Sequence, residues 1–523
     1  MLLPRRTALG LGASLCIAKP SLVRATSLDQ GTSCFPFGVA SGDPDTDSVV
    51  IWTRLGTLPL VFGAEPDLPE AVPVIWEIAL NPDMTGLVAS GHTIARKEAG
   101  YSIHVVPRLP AAGRPYWYRF LARGCASPVG RTVSLPRRSQ RIDSLRLGIA
   151  SCAHYEFGYY AAYDRMADDR PDLVAFLGDY IYEHNAPPRR LHEAIRAYGA
   201  PLAYSLADYR WRYAIQKTDT ALQRAHRVAP WLCIWDDHEV EDDYSGLFSA
   251  AKNETQPAFA ARRAAAYQAW FENMPVRPEL RRNRNVYQLY RRLYYGDLAS
   301  IDLLDGRQYR SQQPCPTGKY GGEGHMEADS CRDLFDPGRS FLGRDQELWL
   351  HRQLKEHHTL WTILAQDLMV ASLRAPDHEP GHYRYWTDSW DGFQSARNRL
   401  MDLLADTKAP SPVIFSGDYH AHFASEIRQR AHDPRSPVIA TEFLGTSITS
   451  PGPSFEAITS VLPLNPDIHY YDSRQRGYIL ADFRRDRAEI ALKGLDNVRD
   501  PLSAVQDMAR FIIKHGEMKL VKG

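Results

Sequence analysis

The stretch LVAFLGDYIYE, residues 173–183, runs an apolar segment straight into Asp179 and Tyr182. Two further segments end the same way: PWLCIWDDHE in Asp236, Asp237 and His238, and SPVIFSGDYH in Asp418 and His420. A third, SLRLGIASC, ends in Cys152. A single Asp after a strand is ordinarily a turn residue or a helix N-cap. Several in one chain, with Cys152 and His420 at equivalent places, point instead to a metal cluster. Carboxylates and a phenolate are hard oxygen donors suited to Fe(III), Ca²⁺ or Mg²⁺, whereas structural zinc calls for Cys and His paired at short spacing. No CxxC pair occurs.

The elements that carry these residues are apolar runs of strand length, among them SLRLGIASC, DLVAFLGD, LASIDLLDGR, TLWTILAQD and SPVIFSGDYH. Helix-like segments such as AYDRMADDR, FAARRAAAYQAWFENM and DQELWLHRQLKEHH separate several of them. Continuous apolar strands alternating with helices predict a largely parallel sheet covered on both faces. Ligands of such sheets bind beyond the carboxyl ends of the strands, where the acids stand. This α/β catalytic domain is expected over residues 144–515. Before it, residues 30–137 alternate short β-rich pieces with Pro, Gly and Asp turns, the pattern of a small antiparallel β-sandwich, and PRRSQRIDS reads as the linker. DPLSAVQDMARFIIKHG, near the C-terminus, reads as an amphipathic helix.

Composition narrows the function. The 523 residues are 44% hydrophobic and 24% charged, with 62 basic against 62 acidic side chains. That balance, without a Lys/Arg run to track a phosphate backbone, argues against a dedicated nucleic-acid partner and for a small molecule. Residues 1–26 open with Arg5-Arg6, continue through a weakly apolar stretch and reach small residues near Ala25, which is the form of a twin-arginine export leader. The stretch is too short and too weakly apolar for a stable membrane anchor. The expected location is therefore periplasmic or secreted, by way of the twin-arginine machinery, where disulfides are allowed. Cys315 and Cys331 flank a Gly-rich loop and form one expected pair. Cys34 with Cys125 would tie the ends of the first domain.

The spacing Gly178-Asp179-x-x-Tyr182 resembles the GDxxY box of purple acid phosphatases, WDDHE their GNHE box and GDYHAHF their GHxH box. Over most of the chain, FPFGVASGDPDTDSVVIWTRL, ASC, LGDYIYE, IWDDHEVEDDY, LDGRQYRS, DSWDGF and SGDYHAHF are similar to the successive signatures of the PhoD-like alkaline phosphatases. The resemblance implies a metallophosphatase-like αββα sandwich carrying one Fe(III) and calcium ions. It implies hydrolysis of small-molecule phosphate mono- and diesters by a metal-bound oxygen nucleophile. Cys152 would supply a thiolate to Fe(III), Asp179 a bridging carboxylate and Tyr182 a phenolate, with Asp237, Asp418 and His420 as further ligands. Asp236 would hold calcium, as would Asp242 and Asp243, where the family commonly has an Asn. His238 stands where such enzymes contact substrate phosphate, and Arg307 could fork onto its oxygens. DSWDGF would line the cleft, and a C-terminal helix can cover the site. Two other readings stay open: a phospholipase D-like phosphodiesterase acting on lipid headgroups, and a non-catalytic exported calcium-binding protein.

Overall fold

The structure is a computed structural model, described over residues 34–251, 254–316, 324–377 and 381–523. The expected leader, residues 1–26, lies outside the described residues. Two large sheets dominate. In the first, of ten strands, Ser144–Ala150, Leu173–Phe176 and Trp231–Cys233 lie side by side and parallel. In the second, of seven, Ala299–Leu303, Trp361–Ala365, Pro412–Ser416 and Val438–Leu444 are parallel neighbours.

Alternation along these buried strands explains the layering. Leu173, Ala175 and Leu232 of the first sheet share one core with Ile301, Ile363, Phe415 and Phe443 of the second, so the two sheets pack face to face. The intervening residues Val174, Phe176, Trp231 and Cys233 point the other way, into a core with the helices Ala161–Asp168, Leu206–Lys217, Thr220–Val228 and Gln256–Asn273. On the outer face of the second sheet, Leu364, Ile414 and Leu444 pack with Arg344–Leu354 and Gln394–Thr407. With both faces covered, Leu173–Phe176 and Trp231–Cys233 are apolar along their whole length rather than at alternate positions. Among the described residues no helix is long and apolar enough to cross a membrane.

The N-terminal domain has its own core and a five-stranded sheet that includes Ala71–Ala79, Leu87–Arg96 and Pro115–Ala122, all antiparallel. Its other layer, Val39–Gly42, Val50–Arg54 and Ser102–Val105, continues the ten-stranded sheet, because Gly42 pairs in parallel with Trp231. A Cβ on Gly42 would lie 2.1 Å from the Pro275 carbonyl oxygen and 2.5 Å from that of Trp231, so only glycine permits this junction. The linker therefore marks a change of sheet rather than a gap between free-standing units. Both expected cysteine pairs, Cys34–Cys125 and Cys315–Cys331, are bonded.

The C-terminal helix is a correction. Val505–Lys514 is a strand, antiparallel to Arg487–Leu495 near the outer edge of the ten-stranded sheet. Ala509, Phe511 and Ile513 are buried while Gln506, Arg510 and Lys514 are exposed. That is a period of two, and it gives the β-favouring run Phe-Ile-Ile a sheet edge to extend. It leaves this segment toward the outer edge of the sheet, separated from the parallel strands by Gly477–Arg484 and Arg487–Leu495.

One buried cation marks the contact between the N-terminal and catalytic layers. Lys217 is 1% exposed, donates from Nζ to the Tyr180 hydroxyl at 3.0 Å and stands 4.3 Å from the centre of a Trp52 ring. Burial lowers its pKa from 10.5 to about 7. Between these values the unfolded chain binds the extra proton, so stability rises with pH there. Below pH 7 both states are protonated and the penalty is fully present. Lys217→Met is expected to stabilise the protein at pH 6 by about 2 kcal/mol or more, a gain that shrinks toward pH 10. Urea unfolding at the two pH values checks it, and a variant no more stable at pH 6 would refute the assignment.

Candidate functional site

Strand register builds the site. Ala150 pairs with Phe176 and Phe176 with Cys233, so Cys152, Asp179 and the pair Asp236 and Asp237 leave one sheet at the same level. In the second sheet Leu303, Ala365 and Phe415 align, which brings Arg307, Asp367 and Asp418 out at the corresponding edge. The backbone turns sharply there. Cys152, Asp179, Asp243, Asp418 and His420 all have φ between 56° and 66°, a left-handed conformation rare for residues with side chains. Such conformations concentrate at functional sites, where surrounding structure holds them. Gly178, at φ 108°, is required outright: a Cβ would meet Asp236 Cβ at 2.4 Å.

Glu239 holds these turns. Its buried carboxylate accepts the backbone N–H of Asp179 at 3.0 Å, of Tyr180 at 2.6 Å and of Asp236 at 2.8 Å. One side chain thus clamps the loops after two strands. Glu239→Ala would strand three buried amide donors, and the expected loss is about 3 kcal/mol or more. Urea unfolding measures it, and an effect under 1 kcal/mol would mean the loops hold themselves.

The donors fall into linked groups. Cys152, Asp179 and His420 place ligand atoms within 4.8 Å of one another. The Tyr182 hydroxyl joins them, donating to Asp179 Oδ2 at 2.8 Å and lying 3.1 Å from His420 Nε2. His420 Nδ1 stands 3.0 Å from the Pro451 carbonyl, which turns Nε2 toward the cluster. Ser450 Oγ sits 2.7 Å from the Tyr182 oxygen. Asp179 recurs in a group with Asp237 and His238, and Asp237 recurs with Asp236 and Asp418 and again with Asp243 and Asp388. His238 also groups with Glu183 and His184, so Asp179, Asp237 and His238 are the residues that link these groups into one cluster.

His238 keeps Nδ1 on Glu183 at 2.8 Å, and its Nε2 is 3.6 Å from the exposed Asp242. Arg307, fully buried, gives Nε to Asp236 at 2.5 Å and Nη1 to Asp388 at 2.8 Å. Its Nη2 lies 3.6 Å from Asp237 and 3.9 Å from Asp418 without a hydrogen bond. Arg310 also pairs with Asp388.

Electrostatics shows what the cluster lacks. Asp179, Asp236, Asp237, Asp243, Asp388 and Asp418 gather at this edge, where Arg307 lies 2.5 to 3.9 Å from Asp236, Asp237, Asp388 and Asp418 and Arg310 pairs with Asp388. Burial, and then neighbouring carboxylates, push Asp418 well above the ordinary range, and burial does the same to Asp179 even against the pull of His238. Burial lifts Asp236 to about 7 despite Arg307. For Asp237 burial is outweighed by Arg307 and His238, which hold it low. Burial, then Asp179, raises the Cys152 thiol and the Tyr182 phenol far above their usual values, while burial lowers His420 to about 3 and keeps it neutral. Burial opposes the His238 cation, yet Asp237, Glu183 and Asp179 carry it well above the usual histidine value. A set of acids that cannot all ionise alone, with Asp236 Oδ2 and Asp388 Oδ2 buried and unpartnered, fits bound cations.

All nine residues singled out in the sequence thus reach one edge, Arg307 as an internal counterion to Asp236 and Asp388. Of the two further acids expected to hold calcium, Asp243 joins the cluster, whereas Asp242 faces solvent. In DSWDGF, Trp390 stacks on Phe341 and Asp391 accepts the Leu373 N–H, so both are structural, and Asp388 is the residue that enters the site. Glu183, Glu239, Asp388 and Ser450 were missed. Glu183, Glu239 and Asp388 stood inside quoted motifs, but nothing local distinguishes a carboxylate that accepts N–H groups from one that meets solvent. HEPGH, residues 378–382, carries the letters of a zinc-protease HExxH, but its Pro380 opposes the helical turn that motif needs. Residues 378–380 lie outside the described residues.

Comparison with known proteins identifies relatives over nearly the whole chain. A family model described as PhoD-like phosphatase matches residues 147–492, and one described as its N-terminal domain matches residues 21–136. Alkaline phosphatase D of Bacillus subtilis (strain 168) is 35% identical over 520 residues, covering 98% of this chain and 87% of that protein. A solved structure titled Structure of PhoD superposes with a TM-score of 0.88 at 35% identity, over 95% of this chain and 93% of that one.

Proposed function

This chain belongs to the PhoD-like phosphatase family and is a phosphatase, and from that premise we propose that it is an exported metalloenzyme that hydrolyses phosphate mono- and diesters at the acidic edge of its two sheets. The helix–sheet–sheet–helix layering supports an αββα sandwich of the metallophosphatase kind. The single observation that carries the metal reading is the convergence of Cys152, Asp179, Tyr182 and His420. A thiol, a phenol, a carboxylate and a neutral imidazole form a donor set for Fe(III), whereas Asp236, Asp237 and Asp418, with Asp243 and Asp388, offer the oxygen donors that Ca²⁺ takes. A calcium-binding protein without catalysis has no use for the thiol.

Bound cations would neutralise phosphate oxygens and lower the pKa of water at the site. The chain's own residues do the rest. Arg307, buried with Nε on Asp236 and Nη1 on Asp388 and with Nη2 turned to Asp237 and Asp418, holds these carboxylates in place rather than meeting substrate. His238, fixed through Nδ1 by Glu183, presents Nε2 as the acid that can protonate the departing alkoxide. Export rests on the leader, residues 1–26, whose Arg5-Arg6 pair supports the twin-arginine route to the periplasm or beyond.

The test is elemental analysis of protein exported by its own leader, alongside rates on p-nitrophenyl phosphate and its bis-ester. Iron and calcium bound together with hydrolysis of both esters is the expected result. Active protein holding zinc alone would sink the Fe(III) assignment, and activity on the diester alone would favour the phosphodiesterase reading.

A further inference from the structure

A second feature stands at the opposite end of the parallel strands. A cavity of about 590 Å³ between the N-terminal sheet and the catalytic domain is lined by Arg131, Arg170, Arg224 and Arg227, with Trp117 and Val228. Arg170 precedes the strand Leu173–Phe176 and Arg227 precedes Trp231–Cys233, so the cavity lies at the amino ends of the strands whose carboxyl ends carry the acids. Trp117 and Arg131 are cross-strand partners and share a face.

The charge here is unbalanced. Arg224 pairs with Asp164 and Asp168, but Arg165 pairs with the same two carboxylates. Arg131, Arg170 and Arg227 form no ion pair among the described residues. Arg131 donates to the Val228 carbonyl at 3.0 Å, and Arg227 Nε is buried without a hydrogen-bond partner. Asp172 is close enough to feel Arg131, yet its carboxylate accepts the Arg146 N–H. The plainer explanation is that arginines sit well at helix C-termini, here those of Ala161–Asp168 and Thr220–Val228. Each helix end supplies only about half a negative charge, which falls short of three unpaired guanidiniums. Arg170 also holds φ 51°, a helix-ending position that glycine fills at no steric cost.

We propose that this arginine-lined cavity binds a small, multiply charged phosphate anion, separately from the site of hydrolysis. Guanidinium forks match phosphate oxygens, and several can share one ligand. The assignment goes beyond the catalytic reading and does not rest on it, since none of these residues touches the acidic cluster.

The experiment is calorimetric titration of full-length protein with methylenediphosphonate, which phosphatases cannot cleave. Wild type is expected to show two classes of site. Arg131→Gln/Arg170→Gln/Arg227→Gln should lose one class while keeping kcat on p-nitrophenyl phosphate. Asp179→Asn should retain that same class, which separates failure here from failure of the catalytic reading. Should the triple variant not fold, Arg170→Gln decides: its exposed side chain makes no hydrogen bond, and about tenfold weaker binding is expected. Unchanged affinity in Arg170→Gln, an identical isotherm in the triple variant, or a single wild-type class abolished by Asp179→Asn would each overturn the proposal.

Discussion

Asp179→Asn is expected to lower kcat/KM on p-nitrophenyl phosphate by on the order of 10³ or more, with bound metal falling in parallel. The residue is shared between the Cys152–His420 group and the Asp237–His238 group, so no other acid can stand in for it. Asparagine keeps the size and can still accept from the Tyr182 hydroxyl. It removes the negative charge and would leave a single oxygen for the proposed bridge between two cations. A structural role alone would give a different signature. Burial pushes Asp179 well above the ordinary carboxylate range, so the neutral variant should unfold at a higher temperature than wild type when both are stripped of metal at pH 8. Loss of activity with gain of metal-free stability is the paired result. Wild-type activity with a full complement of metal would end the bridging assignment.

Removing the metal from wild type should have the second large effect, and it should depend on pH. At pH 8 chelation is expected to abolish hydrolysis and lower the melting temperature by several degrees or more. A ligand present at a thousand times its dissociation constant stabilises by about 4 kcal/mol, and its loss is compounded here by repulsion among the acids it neutralised. In the metal-free protein Asp179, Asp236 and Asp418 have raised pKa values. Unfolded carboxylates release their protons near pH 4, whereas these buried ones keep theirs to higher pH. These acids therefore bind more protons in the folded chain across that window and make metal-free stability fall as pH rises, outweighing the opposite pull of Lys217 and of His104, His154, His226, His420 and His422, which burial keeps neutral. Asp237 and Asp388 are shifted down and contribute only as pH drops below the ordinary carboxylate range, outside this window. The chelated protein should melt higher at pH 5.5 than at pH 8, and added calcium and iron should restore the larger increment at pH 8. A metal-free melting temperature that rises with pH over this range would contradict the buried acidic cluster.

Much of the site was legible because its chemistry is written at strand ends. Cys152, Asp179, Asp237 and Asp418 each follow an apolar run, and the register of parallel strands turns that regularity into convergence. What stayed hidden depends on partners remote in sequence. Glu239 matters because it meets amides sixty residues away, and Asp388 because Arg307 and Arg310 approach it from another strand end. The layering was half legible. Two cores and their helices follow from apolar periodicity, but the splice of the N-terminal layer onto the large sheet turns on one glycine beside Trp231. Residues 505–514 were misread because their apolar positions suit a helical stripe nearly as well as an alternating strand. A sheet edge looking for a partner decided the matter.

The order of the ten-stranded sheet also sets a timetable. Ser144–Ala150, which leads to Cys152, is flanked on one side by Leu173–Phe176 and on the other by Gly477–Arg484, with Ile149 opposite Ile479. Arg476, just before that late strand, donates to the His420 and Ser450 carbonyls and so supports the loops that position His420 and Tyr182. A nascent chain halted at residue 470 would lack four of the ten strands and this brace. Contacts this distant in sequence form late and slowly. The cage of donor side chains therefore closes only after nearly the whole polypeptide has left the ribosome, and any cation it takes would enter a finished protein rather than guide one still being made.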